Sequence, residues 1–67
     1  MIDVTSTAIA RIEYDELSQE FIVTFVSWKT YTYYGVPRVI YQRFLKAESK
    51  GQFFNEFIRD RYRYVQN

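Results

Sequence analysis

The chain has 67 residues, nine Lys or Arg against eight Asp or Glu, and neither His nor Cys. That length allows one domain, taken as 1–67, with a small core. The missing residue types exclude disulfide staples and Cys/His metal sites. No stretch approaches the ~20 apolar residues of a membrane span. The start, MIDVTSTAIA, lacks the basic and apolar runs of a signal peptide, so a cytoplasmic protein is the expectation. Seven Tyr, six Phe and one Trp give a tiny chain the means to build a core from few side chains, at about 150–250 Å² per ring.

In chain order, Ala8, Ala10, Ile12 and Tyr14 alternate with Ile9, Arg11 and Glu13, the period of a strand with one buried face. Asp15-Glu16-Leu17-Ser18-Gln19 reads as a polar hairpin loop. Phe21, Val23 and Phe25 alternate with Ile22 and Thr24 in a second strand, rich in the β-branched and aromatic residues that suit a pleated surface. Ser27-Trp28-Lys29 is a second tight connection. A third strand over 30–34 puts Tyr31 and Tyr33 on one face and Thr30, Thr32 and Tyr34 on the other. Loops this short join antiparallel neighbours.

Gly35 and Pro37 end the sheet, with the proline suited to the first turn of a helix. Val36, Ile40, Phe44 and Ala47 then form one stripe at helical period, opposite Arg38, Gln42 and Lys46, and the helix should stop near Glu48. Ser49 and Gln52 fit a capping box at the start of a second helix. Phe54, Phe57, Ile58, Arg61 and Val65 share its broad face, and Val65-Gln66-Asn67 is expected to fray. The order is βββαα. The expected fold is α+β: a three-stranded antiparallel β-meander followed by a two-helix hairpin packed on one face, with the other face wet or in contact with a partner.

Catalysis finds little support. Without His or Cys, acid–base and nucleophile options shrink to carboxylates, Lys, Tyr and hydroxyls. Glu13, Asp15, Glu16 and Glu20 cluster at the first hairpin, where a solvated turn is a simpler reading than a cleft that raises one carboxyl pKa. The two glycines stand sixteen positions apart and make no phosphate-binding pattern. A non-enzyme with no cofactor, no metal and no small-molecule substrate is the expectation.

Binding is better supported. Residues 1–34 carry two basic and five acidic groups, net −3, whereas 35–67 carry seven basic and three acidic, net +4. A basic half can be a solvated helical surface or a footprint for an anionic partner. Tyr31, Tyr33 and Tyr34 lie beside Lys29 and Arg38, with Lys50, Arg59, Arg61 and Arg63 further on. Single-stranded RNA modules combine flat rings with cations in this way. The same Tyr-x-Tyr alternation also describes a buried strand face, so core and platform remain alternatives. An aromatic open sheet face could equally serve as a homodimer interface.

The run YTYYGVP followed by AESKGQFFNEFIRDRY resembles the KTSC domain. That family is a small module at the C-terminus of some lysyl-tRNA synthetases, and it also occurs as free-standing small bacterial and phage proteins. The resemblance runs from Ser6 to about Tyr64. The family's Tyr-x-Tyr matches Tyr31 and Tyr33 before Val36-Pro37. Its later alanine, serine and glycine match Ala47, Ser49 and Gly51, and its Phe-Asn and Ile-Arg pairs match Phe54-Asn55 and Ile58-Arg59. One departure is Ser27-Trp28-Lys29, where the family usually has a glycine, which puts a positive-φ turn there in question. Attachment to a synthetase implies RNA as the leading ligand, an argument by association. Tyr31, Tyr33 or Tyr34 would then stack bases, and Lys50, Arg59 and Arg63 would meet phosphates.

Overall fold

The structure, a computed structural model, describes residues 9–67. Strands β1 (Ile9–Asp15), β2 (Glu20–Phe25) and β3 (Thr30–Tyr33) are followed by helices α1 (Arg38–Lys46) and α2 (Lys50–Phe54). Then come a π-helical turn, Asn55–Arg59, and a fourth strand, β4 (Tyr64–Gln66). The sheet runs β1-β2-β3-β4, every neighbour antiparallel. The fold is α+β. No helix among the described residues is long and apolar enough to cross a membrane.

The first hairpin turns on Asp15, whose Oδ1 accepts hydrogen bonds from the backbone N–H of Leu17 at 3.0 Å and Ser18 at 3.4 Å, a local bond that favours a turn. In the ladder Tyr14 faces Phe21 and Ile12 faces Val23, all toward the core. Ile9 faces Phe25 and Arg11 faces Thr24, so Ala10 is bulged out. The bulge breaks the expected alternation. It turns Ile9 to the packed face and leaves Ala10 exposed, so the larger side chain is the one buried. Ala8, expected on that inner face too, lies outside the described residues.

The second hairpin keeps the left-handed residue that its sequence put in question. Trp28 has φ +68°. Its N–H donates to the Phe25 carbonyl at 2.7 Å, and the Phe25 N–H donates to the Lys29 carbonyl at 3.0 Å. This is the three-residue hairpin loop whose last position is left-handed and normally glycine. Here a tryptophan fills it.

Pro37 caps α1 from just outside, its carbonyl accepting from Ile40 and Tyr41. Arg43 and Lys46 close the last turn, where cations suit the helix dipole. Ser49 caps α2 as its spacing predicts, its Oγ accepting from the Gln52 N–H at 3.4 Å.

The expected long second helix is corrected. α2 lasts five residues, widens into the π-helical turn and stops, and the chain returns to the sheet. A two-helix hairpin therefore does not describe this half. The tail expected to fray is β4. Tyr33 pairs with Tyr64, Thr32 with Val65 and Tyr31 with Gln66. The Asn67 N–H donates to the Thr30 carbonyl at 2.7 Å, and the Asn67 side-chain amide to the Thr32 hydroxyl at 3.0 Å. Without β4 the outer edge of β3 would leave its backbone groups to solvent. Val65, expected on the helical apolar face, is instead 49% exposed on the far side of the sheet. Arg61 lies past the turn, its guanidinium over the Phe57 ring and its Nε donating to the Glu56 carbonyl.

The core is Phe21, Val23, Tyr33, Val36, Phe44, Phe54 and Ile58. It is bound together by edge-to-face rings such as Phe21–Phe44 at 5.2 Å and Tyr33–Phe54 at 5.2 Å, contacts worth about 0.5–1.5 kcal/mol beyond burial. Gly35, at φ +74°, makes the turn that delivers Val36 to this core.

Candidate functional site

Alternation decides which ring goes where. Tyr31 is paired with Val23 and Tyr33 with Phe21, so both tyrosines point to the helical side of the sheet. Tyr64, paired with Tyr33, follows them. The open face carries no strand tyrosine among the described residues, so of the two alternatives Tyr31 and Tyr33 take the packed side. That face presents Arg11, Glu13, Ile22, Thr24 and Thr30, which with Ile12 and Trp28 line a groove of about 260 Å³. The Thr24 and Thr30 hydroxyls bond at 3.1 Å. Glu13, Asp15 and Glu20 make its β1–β2 end acidic, a poor surface for phosphates.

On the helical side, α1 closes over β1 and β2, with Tyr41 and Phe44 against Tyr14 and Phe21. Over β3 and β4 the cover is only α2 and the π-helical turn. A groove of about 420 Å³ remains there, lined by Phe25, Tyr31, Tyr33, Phe54, Asn55, Arg59, Asp60 and Tyr64. This is in the size range of small-molecule and cofactor sites. Its aromatic wall is continuous: the Tyr31–Tyr64 centroids lie 5.7 Å apart and the Tyr33–Tyr64 centroids 5.3 Å. Its polar rim is Asn55, Arg59 and Asp60. Arg59 Nη1 donates to Asn55 Oδ1 at 3.4 Å.

Tyr33 is 3% exposed, which makes it floor and core. Its ring faces are spent on Phe54, Tyr31 and Tyr64. Burial above all, then the neighbouring Tyr64, pushes its hydroxyl up to about 12, against a lowering by Arg59. It therefore stays protonated at neutral pH. Tyr64, by contrast, is 52% exposed, and Tyr31 is half-buried.

Of the residues that sequence singles out, Tyr31, Tyr33 and Arg59 come together in this groove. Tyr34 and Arg63 meet one step beyond the Tyr33–Tyr64 pair, where the Tyr34 N–H donates to the Arg63 carbonyl at 2.8 Å. Lys50 lies apart. Its Nζ donates to the Ala47 carbonyl at 3.3 Å, and it lines a separate groove with Ile9, Arg11 and Phe44. Sequence reasoning missed Tyr64, Asn55 and Asp60. Tyr62-Arg63-Tyr64-Val65 alternates as a strand does, and that is the signal that could have found Tyr64. No group of three carboxylates able to hold a metal ion forms among the described residues.

Comparison with known proteins agrees with this architecture. A family model described as the KTSC domain matches residues 5–62. A protein of Tsukamurella paurometabola is 38% identical over 65 residues, covering 97% of each chain. A lysine–tRNA ligase of Trichormus variabilis is 33% identical over 58 residues, which are 87% of this chain but only 10% of the ligase. The crystal structure of a KTSC domain protein from Yersinia pestis superposes with a TM-score of 0.87 at 31% identity, over 100% of this chain and 93% of that one. With the family pattern matched along most of its length and the fold shared end to end, the chain belongs to the KTSC domain family.

Proposed function

We propose that this chain is a non-catalytic binding module, working in the cytoplasm, whose ligand is single-stranded RNA held at the Tyr31–Tyr64 groove. The observation that carries the reading is the junction of accessible tyrosine rings with Arg59 in one concave site. Ring faces suit bases of any sequence, and the basic surplus of the second half of the chain suits a polyanion. The net +4 of residues 35–67 and the KTSC-like segment within ligases named for tRNA support the same ligand. Tyr31 and Tyr64 stack bases, Tyr33 is the floor beneath them, and Tyr34 with Arg63 flanks the strand's exit. Lys50 is too separate to join this footprint.

The test is fluorescence anisotropy with a labelled RNA hexamer at two salt concentrations. Tyr31→Ala and Tyr64→Ala should each weaken binding by about 1–3 kcal/mol, and higher salt should weaken it further. Wild-type chain that shows no salt-dependent affinity for RNA sinks the reading.

A second reading, homodimerisation through the open face, is favoured by Trp28, a left-handed residue whose indole is 69% exposed beside the open-face groove. Light scattering at two concentrations tests it. A single mass equal to the monomer at both concentrations rejects it.

A further inference from the structure

We propose that the base this groove selects is guanine, read by Arg59 and Asp60 acting together. The inference rests on the RNA reading and goes beyond it.

Arg59 and Asp60 are consecutive, yet both line the groove. In a continuing α-helix neighbours diverge by about 100°. Here the π-helical turn ends at Arg59, and Asp60 leaves helical geometry at φ −102° and ψ 8°, which lets the two side chains share one rim. Turns of this kind are frequent at functional sites. The pair brings one guanidinium and one carboxylate to the mouth of an aromatic slot. The Arg59 fork bonds Asn55 Oδ1 through one nitrogen at 3.4 Å, which leaves its other N–H groups available. No salt bridge engages Asp60 among the described residues.

A carboxylate at the mouth argues against a phosphate there, since two anions would meet. The pair is better suited to a base edge. Guanine presents two adjacent donors, N1–H and the N2 amino group, which fit the two oxygens of a carboxylate. It also presents O6 and N7, which fit a guanidinium bidentately. Adenine and cytosine would set a ring-nitrogen acceptor against Asp60. Uracil would offer one N–H flanked by two carbonyl oxygens. Guanine alone satisfies both charged groups without placing an acceptor against the carboxylate. The role expected of Arg59 thereby moves from phosphate to base.

The experiment uses the full chain and labelled hexamers: all-uridine, and uridine with a central guanosine, adenosine, cytidine or inosine. Guanosine should bind about tenfold tighter than the other natural bases. Inosine, which lacks only the 2-amino group, should lose most of that gain. With thermal melting unchanged, Asp60→Asn should flatten the guanosine-to-inosine ratio, Arg59→Gln should weaken guanosine and inosine alike and so lower the guanosine-to-cytidine ratio, and Tyr31→Ala should weaken all hexamers by a similar factor. Equal binding of every hexamer overturns the guanine assignment while leaving RNA binding intact. Guanosine preference that survives in folded Asp60→Asn also overturns it. Absence of binding to any hexamer removes the RNA reading and this inference together.

Discussion

The two halves of the sheet use tyrosine in opposite ways. Over β1 and β2, Tyr14 stacks on Tyr41 at 4.4 Å and donates its hydroxyl to the Val36 carbonyl at 2.6 Å. Its ring and its polar tip are both engaged inside the protein. Over β3 and β4, Tyr31 and Tyr64 pack against each other and Tyr33, yet retain accessible surface around a groove with a polar rim. The same residue type closes one half and leaves the other ready for contact. The difference lies in the helix above each. α1 has nine residues and a stripe that reaches Phe21, whereas α2 has five and gives way to a wide turn.

Tyr33 joins the two halves, and its loss should be the most damaging. If it is the shared floor, Tyr33→Ala should cost about 3–5 kcal/mol, the usual toll of emptying an aromatic core site. In a chain this small that should shift the urea midpoint drastically or abolish the cooperative transition. A folded, stable Tyr33→Ala protein would mean that the floor is not core. Titration gives a milder version of the same test. The Tyr33 hydroxyl is raised from 10 to about 12 by burial, so the folded state resists ionisation that the unfolded state accepts. Its contribution is fully present below pH 10 and is lost as pH climbs from about 10 to 12. Stability should fall through that window, and less so in Tyr33→Phe, by denaturant midpoints at matched pH values.

In the other half, Tyr14→Phe keeps the stack and removes the bond to Val36, leaving that carbonyl one donor short. A loss of about 1 kcal/mol in urea unfolding is the expected result. No loss would mean that water replaces the hydroxyl freely, and that the β1–β2 half is less closed than its contacts imply.

The closed half was the legible one. Alternation in β2 and in β1 from Arg11 onward, and the helical stripe from Val36 to Phe44, are local patterns, and each appears in the structure. The open half was not, because its order comes from distance. β4 has three residues and earns its place by pairing with a strand some thirty-five positions away, as in the Asn67–Thr32 bond. Its one local trace is the Tyr62-Arg63-Tyr64-Val65 alternation, a run too short to tell a strand from the end of a helix. The bulge at Ala10 is equally silent, since one unpaired residue changes inward to outward without changing composition. Tyr31 and Arg59 were visible as candidates, but their shared rim with Asn55 and Asp60 exists only because the chain widens into a π-helical turn.

The smallest expected effect lies at the hairpin between the halves, and its sign matters more than its size. Trp28 holds φ +68°, a region where a side chain costs roughly 1–2 kcal/mol and glycine almost nothing. Its indole is 69% exposed, so deleting it forfeits little burial. Glycine also loosens the unfolded chain, which offsets part of the gain. Trp28→Gly should therefore raise stability by about 0.5 kcal/mol, read as a small increase in the urea midpoint. A decrease would show that the indole packs usefully along Ile22 in the open-face groove, and the strained turn would be explained within the domain. An increase leaves the tryptophan costly to the isolated fold, which points outward, to a surface kept for contact rather than for stability.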